Sequence, residues 1–139
     1  MNTEERLARL EALIGIGLFS DSGWVDLGSV GTYATNWGPY ADSRFRPMAR
    51  RFPNGLVLLR GALAKSAALG VPETMFTFNR SWWPGDLGYT AGGSELIFSV
   101  SQSGAAFADV RLGNTGILQL DHGSATWTSL VGVIYTLVR

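Results

Sequence analysis

Hydrophobic residues near the start of the chain recur at helical spacing. Leu7, Leu10 and Ile14 follow the alternating three-and-four spacing of the a and d positions of a coiled coil, and charged residues surround them. The glycines of Gly15-Ile16-Gly17 remove helix propensity directly after this seam. The pattern predicts a short amphipathic helix that ends at these glycines.

The same segment contains a motif for trimerisation. Residues 6–11 read Arg-Leu-Ala-Arg-Leu-Glu, which resembles the Arg–apolar–x–x–apolar–Glu signature of many short parallel trimeric coiled coils. In that signature the arginine packs across the seam and pairs with a glutamate of a neighbouring chain. A helix of roughly 12 residues is marginal in water by itself, so we expect a homotrimer. The residues assigned to oligomerisation are Arg6, Leu7, Leu10, Glu11 and Ile14. The alternative is an ordinary amphipathic helix packed on the rest of the chain.

From Trp24 onward the pattern is that of a β protein. Short apolar runs alternate with glycine turns, and no second helical pattern follows. Asn54-Gly55 between two such runs is a strong hairpin signal, because both residues tolerate positive φ. Strands are predicted within residues 24–30, 45–52, 56–64, 74–78, 95–101, 105–112, 116–120 and 126–138. Residues 63–69 are interpreted as a loop or a helical turn, and residues 79–93 as a long surface loop.

These elements divide the chain into three parts. Residues 1–17 form the coiled-coil helix, whose first turn Asn2 or Thr3 can cap, and residues 18–23 form a neck. Residues 24–139 form a mainly β head. The number and spacing of its short strands predict an antiparallel β-sandwich or a jelly-roll-like fold.

The last predicted strand has apolar residues on both faces. Such a strand lies at the centre of a sheet or at a subunit interface. Trp127-x-x-Leu130 near its start repeats the spacing of Trp24-x-x-Leu27 in the first strand. We therefore expect the first and last strands to be neighbours.

Composition excludes several classes of protein. The 139 residues include no cysteine, so neither a disulfide framework nor a thiolate metal site can form. The formal net charge is zero, which argues against nucleic-acid binding driven by phosphate neutralisation. Only 16% of the residues are charged and 46% are hydrophobic, which suggests that part of the surface is hidden in an assembly. No apolar run approaches the ~18 residues of a membrane span, and the acidic start is unlike a signal peptide, so we expect cytoplasmic assembly without membrane insertion.

The order of parts resembles a phage or phage-like virion fibre or spike, in which a short coiled coil carries a C-terminal β-sandwich head. The stretches that carry the resemblance are residues 50–61 (RRFPNGLVLLRG), 73–78 (ETMFTF), 82–87 (WWPGDL), 108–111 (ADVR) and 125–135 (ATWTSLVGVIY). The resemblance implies a virion protein that attaches to other virion proteins through the N-terminal helix. It also implies that the head binds polysaccharide of the host surface. The Trp82-Trp83 pair departs from the pattern, where a single aromatic residue is expected.

Aromatic residues in segments rich in Gly and Pro form the candidate glycan site. Loops on a rigid sandwich commonly carry function, and aromatic rings stack on the apolar faces of sugars. The predicted ligand-binding residues are Trp37, Tyr40, Trp82, Trp83, Asp86 and Tyr89, with Asn36 and Asn79 as further polar contacts. The alternative is that these rings cover the edge of the core or are buried between protomers.

The densest basic run consists of Arg44, Arg46, Arg50 and Arg51. Arg44 and Arg46 share a face if the segment is extended. These arginines could meet anionic sugars, pair with acidic residues of an adjacent subunit, or lie in solvent.

Enzyme chemistry is poorly supported. His122 is the single histidine, so it would be the only base for a Ser–His–acid triad, and no Gly-x-Ser-x-Gly motif is present. A tetrahedral zinc site and a phosphate-binding glycine loop also lack their residues. Carboxylates such as Asp86, Glu95, Asp109 and Asp121 leave a glycosidase open. We expect no catalysis, no cofactor and no metal.

The leading hypothesis is therefore a homotrimeric virion fibre or spike head that binds host-surface glycan. Three weak sites on one rigid head would gain from effective concentration. Two alternatives remain: a purely structural virion decoration or baseplate component without a ligand, and a free-standing carbohydrate-binding lectin.

Overall fold

The structure is a computed structural model that describes residues 2–13, 19–85, 95–102, 106–123 and 127–137. Within these residues the chain forms one α-helix and twelve β-strands, and every strand pairing is antiparallel. The mainly β class predicted from the sequence is confirmed.

The element bounds are as follows. The helix α1 spans Thr3–Leu13, and the strands are β1 (Val25–Asp26), β2 (Gly31–Tyr33), β3 (Trp37–Pro39), β4 (Met48–Arg51), β5 (Leu56–Arg60), β6 (Ala62–Lys65), β7 (Glu73–Phe78), β8 (Glu95–Ser101), β9 (Phe107–Gly113), β10 (Ile117–His122), β11 (Trp127–Ser129) and β12 (Ile134–Thr136). Short 3₁₀ turns occupy Leu27–Ser29, Ser43–Phe45 and Arg80–Trp82.

The helix α1 begins with a reciprocal cap. The backbone N–H of Glu5 donates to the Asn2 side-chain oxygen at 2.8 Å, and the N–H of Asn2 donates to the Glu5 carboxylate at 3.3 Å. The predicted cap at Asn2 is confirmed. Side chains 2–9 are exposed, and Leu7 keeps 55% of its surface accessible. The side chains of Leu10 and Glu11, and the whole of Ile14, lie outside the described residues, so the coiled coil stays a prediction.

The strands form three sheets around one core. Their orders are β1-β4-β5-β12, β2-β7-β10-β9-β8 and β11-β6-β3. Edge-to-face ring contacts run through the core from Tyr33 to Phe76, Phe78 and Tyr135, with centroids 5.2, 4.9 and 5.9 Å apart. Strand β7, which supplies Phe76 and Phe78, therefore joins aromatic residues of two different sheets.

The hairpin predicted at Asn54-Gly55 is confirmed. It joins β4 to β5, and Gly55 has a φ of 86°, a conformation that favours glycine. The Asn54 side chain accepts a hydrogen bond from the Leu56 N–H at 3.1 Å, which closes the turn.

The strand predicted at residues 24–30 is mostly wrong. Only β1 is extended, and the 3₁₀ turn Leu27–Ser29 follows it. Leu27 and Val30 are both buried, and the N–H of Val30 donates to the Leu27 carbonyl at 3.0 Å. The i, i+3 spacing of these two apolar residues fits one face of a 3₁₀ turn, which an alternating strand would divide between two faces.

The predicted last strand, residues 126–138, is two strands. Gly132, with a φ of 98°, lies in the turn between β11 and β12, which belong to different sheets. Strand β12 is at the edge of its sheet, so a central position is wrong, and an interface at this edge stays a prediction. Strands β1 and β12 occupy opposite edges of one sheet, so the expected pairing of the first and last strands is also wrong.

Residues 63–69 begin as a strand, in contrast to the predicted loop or helical turn. Strand β6 extends to Lys65, because its backbone pairs with β3 on one side and β11 on the other. Alanines in a sequence without apolar alternation gave no local signal for this pairing.

Part of the predicted neck lies against the head. Phe19 packs against the core, and Ser22 exchanges backbone and side-chain hydrogen bonds with Arg51 at 2.9–3.0 Å. Asp21 forms a bidentate ion pair with Arg50 at 2.7 and 3.1 Å. Hydrogen bonds from the Arg50 side chain and the Gly23 N–H lower the pKa of Asp21 to about 2.

Candidate functional site

A corner between two sheets positions the candidate site. The chain leaves the four-stranded sheet at the end of β5 and enters the three-stranded sheet as β6, with Gly61 between them. Gly61 has a φ of 88°, and a Cβ there would lie 2.2 Å from the carbonyl oxygen of Arg46. Only glycine therefore lets the segment that carries Arg46 lie directly on the corner. The Gly61 carbonyl also accepts a hydrogen bond from the Leu130 N–H at 2.8 Å, which attaches the β11–β12 connection to the same corner.

A cleft of about 480 Å³ opens over this corner, and we call it the arginine cleft. Its size is within the range of small-ligand sites. Its charged side chains are three arginines, and its rings are those of Phe45 and Trp127. The cleft is lined by Ser43, Arg44, Phe45, Arg46, Met48, Arg60, Gly61, Ala62, Trp127, Ser129 and Val131.

Tyr40 connects the arginine cleft to a second concavity. Its ring meets the Trp127 ring edge to face at 5.6 Å and lies 6.1 Å from the Phe45 ring. Tyr40 also lines a shallower groove of about 410 Å³, together with Trp37, Asn36 and other residues of β3 and β6. Since Tyr40 lines this groove and its ring contacts two residues that line the arginine cleft, the two concavities are adjacent. Of the predicted ligand-binding residues, the structure brings Trp37 and Tyr40 together here.

Two arginines of the cleft already have acidic partners. Arg44 forms hydrogen bonds to both carboxylate oxygens of Asp42 at 2.7–3.1 Å, and Arg46 does the same with Asp26 at 2.5 and 2.7 Å. The hydrogen bonds from Arg44 lower the pKa of Asp42 and raise that of Arg44. These exposed pairs orient the guanidinium groups but contribute little to stability.

Arg60 differs from its two neighbours. Its guanidinium lies over the Trp24 ring, 4.2 Å from the centroid, and donates to the Met48 sulfur at 3.2 Å. No carboxylate pairs with it among the residues that the structure describes. Stacking on tryptophan fixes the group without neutralising its charge. The cleft therefore has one oriented cation whose charge is not balanced by a neighbouring acid.

Trp37, predicted to bind a ligand, has its ring largely in the interior. The side chain is 6% exposed, and its indole N–H donates to the Glu73 carboxylate at 3.0 Å. Lys65 and the Gly70 N–H bond the other oxygen of Glu73 at 2.7 and 2.9 Å. Burial acts to raise the pKa of Glu73, but the hydrogen bonds from Lys65, Gly70 and Trp37 outweigh it, so the pKa lies below its usual value. This cluster ties β3 and β6 to β7.

The Trp82-Trp83 pair also packs inward. Trp82 is 7% exposed, the guanidinium of Arg51 lies 5.1 Å from its ring centroid, and its carbonyl accepts the buried Tyr135 hydroxyl at 2.7 Å. Trp83 is half-buried and donates its indole N–H to the Phe78 carbonyl at 2.8 Å. The expected surface position of Trp82 is wrong, because a 3₁₀ turn directs its ring into the core. The predicted contacts Asp86 and Tyr89 lie outside the described residues.

The residues of the cleft that sequence reasoning missed are Phe45, Arg60 and Trp127. Trp127 and Ser129 line the cleft, whereas Thr128 between them is fully buried, so the strand alternates. This alternation was detectable, but the sequence does not show which face is the interior. Arg60 stands at a strand end with no local signal.

The described residues were also compared with the requirements of a metal site and of a membrane-spanning helix. Across the described ranges, no group of three or more His, Asp or Glu side chains lies close enough to hold a metal ion. No helix in the described part of the chain has the length and apolar character needed to span a bilayer.

One solved structure is similar in fold to this chain. No protein-family profile and no curated protein matches the chain. The chain is similar in structure to the receptor binding protein (gp15) of Listeria phage PSA, with a TM-score of 0.61 and 18% sequence identity. The match covers 95% of this chain and 73% of that chain. At this identity the similarity shows that the two proteins share a fold.

Proposed function

We propose that this chain is a host-attachment protein of a phage-like particle, a homotrimer whose β-sandwich-like head binds glycan on the host surface. The observation that carries the proposal is the structural similarity to a phage receptor binding protein over 95% of the chain. The resemblance of the sequence to virion fibres and spikes points to the same role. The proposal places the protein on the virion, after assembly in the bacterial cytoplasm, with other virion proteins bound to α1.

The exposed helix supports the trimer. Leu7, a residue of the predicted seam, has 55% of its surface accessible in the single chain, and side chains 2–9 do not pack on the head. A helix of 11 residues with an exposed leucine is unstable by itself in water. Burial of Leu7 against two other copies would supply the missing apolar contact.

The adjacent concavities support glycan binding. Tyr40, Phe45 and Trp127 form a group of rings at the surface, and Phe45 is 43% exposed. Exposed rings next to polar side chains are suited to the apolar faces and hydroxyls of sugars. We propose binding without catalysis, so a polysaccharide incubated with the protein should keep its chain length.

Light scattering of the full chain tests the trimer. We expect a particle of three chains. Leu7→Asp should dissociate it, because the substitution places three carboxylates, one from each chain, in the same layer of the seam. The matched control is Ala8→Asp, an exposed position of the same helix outside the seam, which should leave the trimer intact. A monomeric full chain would contradict the proposal, and a trimer that survives Leu7→Asp would assign the interface to the heads.

Adsorption to cells tests attachment. The fluorescently labelled full chain should bind saturably to at least one member of a panel of bacteria that includes Listeria strains, and isolated surface polysaccharide should compete. Retention in virions together with no adsorption on any strain would favour the structural alternative. Tyr40→Ala is a better probe than alanine at Trp82, because the buried Trp82 ring supports the fold.

A further inference from the structure

We propose that the arginine cleft binds a sugar that carries a carboxylate or phosphate group, and that Arg60 contacts the anion. This inference deepens the attachment function proposed above and rests on it. It assigns the ligand to the arginine cleft, whereas three of the six glycan contacts predicted from the sequence are tryptophans that pack inward.

The polar side chains of the cleft require an acceptor from the ligand. Guanidinium groups donate hydrogen bonds and cannot accept them. Among the described residues, the other polar side-chain groups of the lining are the hydroxyls of Ser43 and Ser129 and the indole N–H of Trp127, which also only donates. Within the part of the chain that the structure describes, no carboxylate and no side-chain amide lines the cleft, and these are the groups that accept the hydroxyls of a neutral sugar. A ligand rich in acceptors therefore fits this surface better than a neutral one.

The charges distinguish Arg60 as the anion contact. Asp42 and Asp26 balance Arg44 and Arg46 through bidentate hydrogen bonds, so a ligand would have to displace those partners. Arg60 is held by Trp24 and Met48, which carry no charge. Its orientation is set before binding, and its remaining N–H groups are available for a planar carboxylate or a phosphate.

The rings of the cleft favour a sugar over a free anion. Phe45 is 43% exposed, and Trp127 lines the same cleft. A ring face beside a guanidinium complements a pyranose whose apolar face lies next to its charged substituent. Inorganic phosphate alone would use Arg60 but leave these faces uncovered.

The test is a titration of the full chain with methyl glucuronide, glucose 1-phosphate, methyl glucoside and inorganic phosphate. Magnetic resonance of the five tryptophan indole N–H groups is the readout, since Trp24 lies under Arg60 and Trp127 lines the cleft. At least one anionic sugar should shift these two signals and bind about tenfold or more tightly than methyl glucoside and inorganic phosphate. The stronger of the two anionic sugars identifies carboxylate or phosphate as the preferred group.

Two variants assign the effect to Arg60. Arg60→Gln should weaken binding of the anionic sugar about tenfold to hundredfold and leave the glucoside unchanged. Arg60→Lys, which keeps the charge but loses the planar fork, should lie between Arg60→Gln and the parent chain. The matched control is Arg80→Gln, because Arg80 is exposed and also lies over a tryptophan, Trp83, at 5.9 Å, but outside the cleft. It should bind as the parent does.

Several results would overturn the inference: no shift at Trp24 and Trp127 with any probe, equal affinity for glucoside and anionic sugars, or equal losses in Arg60→Gln and Arg80→Gln. Equal affinity for inorganic phosphate would overturn the part of the proposal that assigns the rings to a sugar. Cell adsorption separates this failure from failure of the proposed function. If Arg60→Gln adsorbs to cells as well as the parent chain does, the assignment of the ligand to the arginine cleft is contradicted and the attachment function is kept. If the protein binds anionic sugars but adsorbs to no cells, the cleft assignment is kept and the attachment function is contradicted.

Discussion

The two edge strands of the three-stranded sheet each carry a tryptophan, and the two rings have opposite environments. Trp37 on β3 pairs with Lys65, whereas Trp127 on β11 pairs with Ala64, the preceding residue of β6. Residues that pair directly share a face, and successive residues of a strand point to opposite faces. A difference of one residue in register therefore directs Trp37 to the Glu73 cluster and Trp127 to the arginine cleft.

This contrast separates aromatic residues that support the fold from those available to a ligand. The indole of Trp37 is fixed by a carboxylate in a largely buried cluster. The ring of Trp127 meets Tyr40, which in turn meets the exposed Phe45. Both residues are tryptophans on edge strands of the same sheet, and the face of the sheet distinguishes their environments.

The largest expected effect is on stability at the two tryptophans. Trp37→Ala should lower the free energy of unfolding by about 3–5 kcal/mol, because it removes a buried ring and leaves a cavity. Trp127→Ala should cost about 1–2 kcal/mol, since this ring is only half-buried. Urea denaturation of both variants measures the difference, and equal losses would contradict the assignment of the two faces.

The second largest expected effect on stability is at Glu73, whose carboxylate accepts the hydrogen bond from the Trp37 indole. Glu73→Gln should cost about 1.5–3 kcal/mol at neutral pH, because hydrogen bonds to a charged acceptor from Lys65, Gly70 and Trp37 are weakened. The pKa of Glu73 is lowered in the folded state, so its contribution is present above the unfolded pKa of 4.5 and is lost as the pH falls through the folded value.

Denaturation as a function of pH therefore provides a second readout for Glu73. The parent chain should lose stability on acidification below about pH 5, and Glu73→Gln should lose less over the same range. Glu4→Gln, a change at an exposed residue of α1, is the control and should follow the parent. If Glu73→Gln and the parent run parallel, the carboxylate is not the group that titrates.

The smallest expected change in stability is at Phe45, which lines the arginine cleft. Phe45→Ala should cost no more than about 1 kcal/mol, because the ring is 43% exposed on a short 3₁₀ turn. The same variant should weaken sugar binding measurably, as it removes one of the ring faces. If both sugar binding and stability are unchanged, Phe45 neither supports the fold nor contacts the ligand.

Local patterns predicted the elements whose determinants are close in sequence. Asn54-Gly55 specified its hairpin, Asn2 its helix cap, and residues 95–101 form the predicted strand. Segments that depend on distant partners were predicted less well. Strand β6 is set by pairing on both sides, and the break between β11 and β12 follows from a change of sheet at Gly132.

The candidate site depended still more on distant contacts. Trp82-Trp83 lies next to proline and glycine and resembles an exposed loop, but the hydroxyl of Tyr135, 53 residues away, bonds the Trp82 carbonyl inside the core. The cleft residues Phe45, Arg60 and Trp127 come from three separated segments. No spacing pattern in the sequence predicts that these three residues lie close together.

By itself the amino-acid sequence determined a short capped helix with an apolar seam, a mainly β head and the hairpin at Asn54-Gly55, because these depend on residue spacing and on local backbone preference. Only the tertiary structure decided which tryptophans face the interior and which arginine of the arginine cleft has no acidic partner among the described residues. Strand register determines the first, and the packing of Trp24 and Met48 around Arg60 determines the second. Both arise from contacts between residues far apart in the chain, and such contacts leave no periodic signal in the sequence.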